Sequence, residues 1–261
     1  MGTATDPDLD SVPHDTVPQP VMIHRWRRLS FLHWAYEPDD LARLLPLGLE
    51  VDTFDGAAWV GLIPFHLTVR RPAWMPSLPW VASTLEANVR TYVRGPDGRR
   101  GIWFFSLDAS RLVAVLEARR SYRIPYMWAR MRFRVTDEEA WYWSRRRWPR
   151  PRGVGMDVRL RIGAPTRLEE LSERDRFLIC RWRLYSPSPN GLAVTVVEHD
   201  PWPIRLAAPV EVEQTLLAAV GLATPTELPI AHYSPGVETR FGRRVQLPSL
   251  ALNARPHLPD L

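Results

Sequence analysis

Between Thr84 and Tyr92 polar side chains recur at every second residue: Thr84, Glu86, Asn88, Arg90 and Tyr92 alternate with Leu85, Ala87, Val89, Thr91 and Val93. A strand has a side-chain period of two, so the first set shares one face and the second set makes the core face. A carboxylate, an amide, a guanidinium and a phenol in a row can hold a small carboxylate or polarise a carbonyl, provided the face looks into a cavity. Facing water, the same row is the ordinary outer face of a half-exposed antiparallel sheet, which spacing alone favours. The next apolar run shifts the balance. Ile102, Phe104, Ser106 and Asp108 share one face and Trp103, Phe105 and Leu107 the other. Large apolar residues on both sides call for cover on both sides, in a barrel or under a helix. An enclosed Glu86 needs Arg90 or another donor to stay charged, and burial without one raises its pKa.

Other reactive side chains carry weaker patterns. His33, His66 and His199 are far apart with no paired-ligand spacing such as His-Glu-x-x-His, so no metal site is expected. Cys180, the single cysteine, sits in Phe-Leu-Ile-Cys-Arg-Trp and reads as a small buried hydrophobe. Ser106 lacks the flanking glycines of a nucleophile elbow. No cofactor motif is present, and none is expected. All 34 basic residues are arginine, so imine chemistry on an internal lysine is excluded. Residues 119–152 interleave arginine with tryptophan, densest at Arg145-Arg-Arg-Trp-Pro-Arg-Pro-Arg, and form the rival nucleic-acid surface. Asp137, Glu138 and Glu139 interrupt it and the formal charge is only +5, which argues against nucleic acid as the partner.

The elements that must position these groups are mostly strands. Val21–Tyr36 suits an edge or crossing strand. A short helix follows Glu37, with Pro38 in its first turn and Leu41, Leu44 and Leu45 on its apolar face. Two hairpins come next: 49–70, turning at Asp55-Gly56, and 83–108, turning at Gly95-Pro-Asp-Gly. The proline- and tryptophan-rich stretch 71–80 between them reads as a rigid loop. A helix is predicted over 110–120, strands over 129–136, 140–148 and 155–162, a helix over 169–184, a strand over 192–199, a helix over 210–220 and a last strand near the end. Residues 1–20 lack a periodic apolar face and read as a disordered tail, and nothing marks a boundary within 21–261. One cysteine, no leader pattern and no run of roughly 20 apolar residues point to a cytoplasmic setting without a membrane partner. Homo-oligomerisation is left open.

Several stretches carry a resemblance. Phe31-Leu-His-Trp, Asp39-Asp-Leu-Ala-Arg-Leu-Leu-Pro, Asp52-Thr-Phe-Asp-Gly-Ala-Ala-Trp-Val-Gly, Glu86-Ala-Asn-Val-Arg-Thr-Tyr-Val, Trp103-Phe-Phe-Ser-Leu-Asp-Ala, Tyr122-Arg-Ile-Pro-Tyr and His199-Asp-Pro-Trp-Pro resemble, in the same order, the uncharacterised YqjF family. The likeness runs from about Val21 to Ser234. It implies an acetoacetate decarboxylase-like fold: an α+β domain with a mainly antiparallel, closed or nearly closed sheet and a few peripheral helices. It does not carry over the reaction. The decarboxylase's catalytic lysine follows a proline, whereas Tyr126 follows Pro125 here, and Glu86 is the loose match to that family's pocket glutamate. The resemblance thus points to Glu86 and Tyr126 as acid-base groups. Asn88, Arg90, Tyr92, Arg119 and Tyr122 would bind ligand. A small organic acid or carbonyl compound is the expected partner, with any catalysis independent of lysine. A non-catalytic sensor or subunit using the same pocket is the alternative, since binding needs only the pocket.

Overall fold

The structure, a computed structural model, describes residues 13, 15–70 and 83–248, without the side chains of 70, 121, 122 and 168. The loop expected over 71–80 and most of the tail expected over 1–20 lie outside these residues.

Five strands make the wall that carries the polar face: β1 (Met22–Tyr36), the short β2 (Glu50–Val51) and β3 (Thr53–Phe54), β4 (Ala57–Arg70) and β5 (Ser83–Arg94). The Asp55-Gly56 turn forms as its sequence demands, with both residues at positive φ, 52° and 77°. β1 is not an edge strand, because β13 (Ile230–Phe241) pairs with one side of it and β4 with the other. Its burial follows from Phe31, Leu32, His33 and Trp34, whose alternate side chains enter two different cores.

β6 (Arg100–Ala109) is the junction of the fold. It pairs antiparallel with β5 and parallel with both β7 (Tyr126–Val135) and β10 (Arg183–Ser188). From β7 the sheet continues through β8 (Glu139–Trp148), β9 (Gly155–Thr166) and β12 (Ile204–Gln214) to β13, then through β1, β4 and β5 back to β6. From β10 it returns to β13 through β11 (Gly191–His199), while β14 (Val245–Gln246) caps the edge of β11. Two closed circuits therefore share the wall β13-β1-β4-β5-β6. Each encloses a core, and the shared strands are buried on both faces, which is why the polar row of β5 is not solvated.

Three helices sit outside or across the ends: α1 (Pro38–Ala42), α2 (Leu112–Tyr122) and α3 (Glu173–Ile179). Ser172 caps α3, accepting from the Asp175 amide at 3.1 Å, and Phe177, Leu178 and Ile179 bury into the second core. The helix predicted over 169–184 is much shorter than expected, because Trp182–Tyr185 already alternates and is drawn into pairing with β11 and β6. The helix predicted over 210–220 is a correction of type. Residues to Gln214 belong to β12, where Val212 lies opposite Val158, and only Ala218–Val220 winds into a 3-10 turn. Pairing with β9 outweighs the weak helical spacing of Val210, Leu216, Leu217 and Val220. Among the described residues no helix is long and apolar enough to cross a membrane.

Candidate functional site

Glu86, Asn88 and Arg90 project from β5 into the second core, each buried. Directly across the sheet, Glu86 faces Ala109 and Asn88 faces Leu107, and the parallel strand β7 extends these rows to Trp128 and Tyr126. Tyr126 thus stands diagonally beside Glu86, and its hydroxyl donates to Glu86 Oε2 at 3.3 Å. Burial pushes the Glu86 carboxyl up to about 8, opposed by the Tyr126 hydrogen bond. The group is therefore a neutral acid at pH 7, poised to give up a proton near physiological pH.

Further along the face, Arg90 enters an aromatic and histidine-lined compartment. Its guanidinium lies 5.6 Å from the Phe31 ring centroid and 5.7 Å from that of Tyr92. Nη2 makes only long contacts, 3.5 Å each, to the Tyr92 hydroxyl and the Leu178 carbonyl, and the buried Nε has no partner. Among the described residues no carboxylate lies within ion-pair distance of it. Asn88 Oδ1 is likewise buried without a partner.

The Tyr92 hydroxyl is fully used. It donates to the Leu178 carbonyl at 2.7 Å and lies 2.6 Å from His33 Nε2. Its single proton goes to Leu178, so His33 Nε2–H must donate, which leaves Nδ1 as a buried, unpartnered acceptor. Burial, with Arg90 close by, holds His33 neutral, its pKa well below the usual histidine value. Gly61 lies opposite His33, and a Cβ there would come within 3.1 Å of the imidazole. Tyr92 therefore ties β5 to the end of α3 through its hydroxyl.

Arg119 sits beside the site rather than in it: Nη1 donates to the Tyr126 carbonyl at 2.7 Å and the guanidinium lies 5.0 Å from the Trp148 ring. It holds the backbone that presents Tyr126. The Tyr122 side chain lies outside the described residues. Sequence spacing presents His33 only as a metal-ligand candidate. The signal available was the Phe31-x-His33 alternation, which places both on one face. Arg181 stands out in the sequence only as the neighbour of Cys180. It is buried on Phe177 and Tyr92, 4.2 and 4.8 Å from their ring centroids, and shares the carboxylate of Asp52 with Arg94 and Arg100.

The other candidates separate cleanly. Among the described residues no group of three His, Cys, Asp or Glu could hold a metal ion. Cys180 is buried at the end of α3. The run Arg145-Arg-Arg is not one surface patch: Arg146 points inward, its Nη2 2.7 Å from Asp108 Oδ1, and only its neighbours are exposed. Three of the outward arginines of β7 and β8 lie over tryptophans, Arg132 on Trp143, Arg134 on Trp141 and Arg147 on Trp128.

Known proteins share this architecture. An acetoacetate decarboxylase-like enzyme from Sphingomonas wittichii RW1 superposes with a TM-score of 0.61 at 16% identity, over 91% of this chain and 98% of that one. The enduracididine biosynthesis enzyme MppR, complexed with pyruvate, superposes with a TM-score of 0.59 at 13% identity, over 88% and 92%. At these identities the likeness is one of fold. In sequence the chain is 34% identical over 228 residues to the uncharacterised protein YqjF of Bacillus subtilis strain 168, spanning 87% of this chain and 93% of that protein. Residues 24–238, the described site included, match DUF2071, a family of uncharacterised conserved proteins, and the chain belongs to that family.

Proposed function

We propose that the chain binds a small carboxylate-bearing carbonyl compound, with the ligand carboxylate on Arg90 and its carbonyl toward Asn88 and Glu86. The observation that carries this is the buried guanidinium of Arg90, which has no counter-anion among the described residues. An uncompensated buried cation costs several kcal/mol, so a fold that keeps one gains most when an anion fills the gap. The neutral Glu86 carboxyl donates a hydrogen bond, or its proton, to a ligand oxygen, and the Tyr126 hydroxyl stabilises the carboxylate that forms. Chemistry through an internal amine is absent because the chain has no lysine. Pyruvate in the related fold of MppR supports the ligand class. The buried Cys180 fits a reducing, cytoplasmic setting.

Arg90→Met tests the reading. Removing an unpaired buried charge should leave the melting temperature unchanged or raise it, while stabilisation of the wild type by millimolar pyruvate or acetoacetate should disappear. A variant that loses stability without ligand, or keeps the ligand response, would assign Arg90 to structure. Binding without turnover would place the protein among sensors or subunits. Borohydride with the same keto acids should leave every internal residue unmodified, any adduct being confined to the N-terminal amine, and an adduct at an internal residue would overturn lysine-independent chemistry.

A further inference from the structure

We propose that a cleft at the start of β5, apart from the Glu86 and Arg90 face, binds an anion of the phosphate type. The cleft measures about 570 Å³, and its wall includes Thr84, Ser110, Trp128, Arg111, Arg130 and Arg147. Its place follows from the strand register. Glu86, Ala109 and Trp128 form one row across β5, β6 and β7. Thr84 and Arg130 are the next same-face positions, one two-residue step onward, about 7 Å from that row. Leu85, Ala129 and Met131, which also line it, belong to the first core, so the cleft opens at the seam between β5 and β7 and is separate from the Glu86 face.

The charge of the wall is one-sided. Arg111 stands at the start of α2, Arg130 on β7 and Arg147 on β8, all exposed. Among the described residues lining the cleft there is no carboxylate, and none of the three arginines has an ion-pair partner there. Single exposed arginines are ordinary on a protein surface. Three from separate elements around one concave wall, beside hydroxyls of Thr84 and Ser110, are suited to an oxyanion with several acceptor oxygens. Arg147 lies 5.4 Å from the Trp128 ring, which limits the freedom its side chain must give up on binding. The volume lies in the range of sites for ligands of roughly drug size, well above the need of a three-carbon acid.

Titration calorimetry on the full chain with inorganic pyrophosphate tests the cleft. Wild type should bind it, the pair Arg130→Ala with Arg147→Ala should weaken it by roughly ten-fold or more, and Arg159→Ala, an exposed arginine outside the cleft, should leave it within about two-fold. Pyruvate binding, read in parallel, should not respond to the arginine pair, so its failure would strike only the small-acid reading. No binding of pyrophosphate at millimolar concentration, or equal binding to the double variant, overturns the cleft proposal. So does tighter binding of a short single-stranded oligonucleotide that also needs Arg132 and Arg145, since that would mark an extended polyanion surface.

Discussion

Asp52→Ala should cost about 3–5 kcal/mol of unfolding free energy and lower the melting temperature by on the order of 10 °C. Asp52 is buried, and its single charge serves three guanidiniums: Arg181 at 3.2 Å, Arg94 through Nε at 3.3 Å, and Arg100, which reaches both carboxylate oxygens. Arg181 cannot turn to water, because its side chain is only 2% exposed and is packed between the rings of Phe177 and Tyr92. Burial pulls its pKa down to about 10, with Asp52 the main opposing influence. Losing the carboxylate leaves that cation without compensation in a low-dielectric interior, a far larger penalty than the net worth of the pair. Two controls separate this from general fragility. Asp40→Ala, which breaks the exposed pair with Arg43, should cost less than about 1 kcal/mol. Adding Arg181→Met to Asp52→Ala should recover part of the loss, since it removes the orphaned charge. A cost for Asp52→Ala as small as that of the exposed pair would show that Arg181 reaches water after all.

The parts of the fold that sequence made legible are those decided locally. Asp55-Gly56 and Gly95-Pro-Asp-Gly announce their turns because few other residues accept positive φ, and both hairpins formed where the turns put them. Residues 210–220 and 180–184 misled because their local patterns are ambiguous, and pairing with β9, β11 and β6, strands remote in sequence, settled them. The polar row of β5 was readable as a row, and the mixed faces of β6 hinted at its cover. What closes over it is contributed by Leu178, Arg181 and His199, about a hundred residues away, and no short-range spacing encodes that contact. Arg146 is the opposite case. A strand period of two already separates it from Arg145 and Arg147, so its inward course to Asp108 is legible in the sequence despite the run of charge around it.

Glu86→Gln should become more stable than wild type, relative to their difference at pH 6.5, as the pH is raised to about 8, above which the gain levels off. The folded-state carboxyl titrates near 8 and the unfolded one near 4.5, so between these values the native state holds a proton that the unfolded chain has released. Stability from this group is full below the unfolded pKa and is lost as pH rises through the folded one, at about 1.4 kcal/mol per pH unit. Buried histidines act in the opposite sense. His24, His33 and His199 are held neutral by burial, the first with a pKa of about 3 and the last about 4, so their contribution is lost as pH falls below 6.5. Wild type should therefore be most stable near neutrality, with the histidines shaping the acid limb and Glu86 the limb above 6.5. Glutamine keeps the acceptor for the Tyr126 hydroxyl but cannot ionise, so only the upper limb should flatten. Any cost of the amide N–H groups left without acceptors shifts the whole curve and leaves its slope alone. Urea unfolding at half-unit steps between pH 6.5 and 9 reads the difference directly. Parallel curves for the two proteins would mean that Glu86 is already ionised at neutral pH, and the proton donor of the proposed chemistry would have to be sought elsewhere.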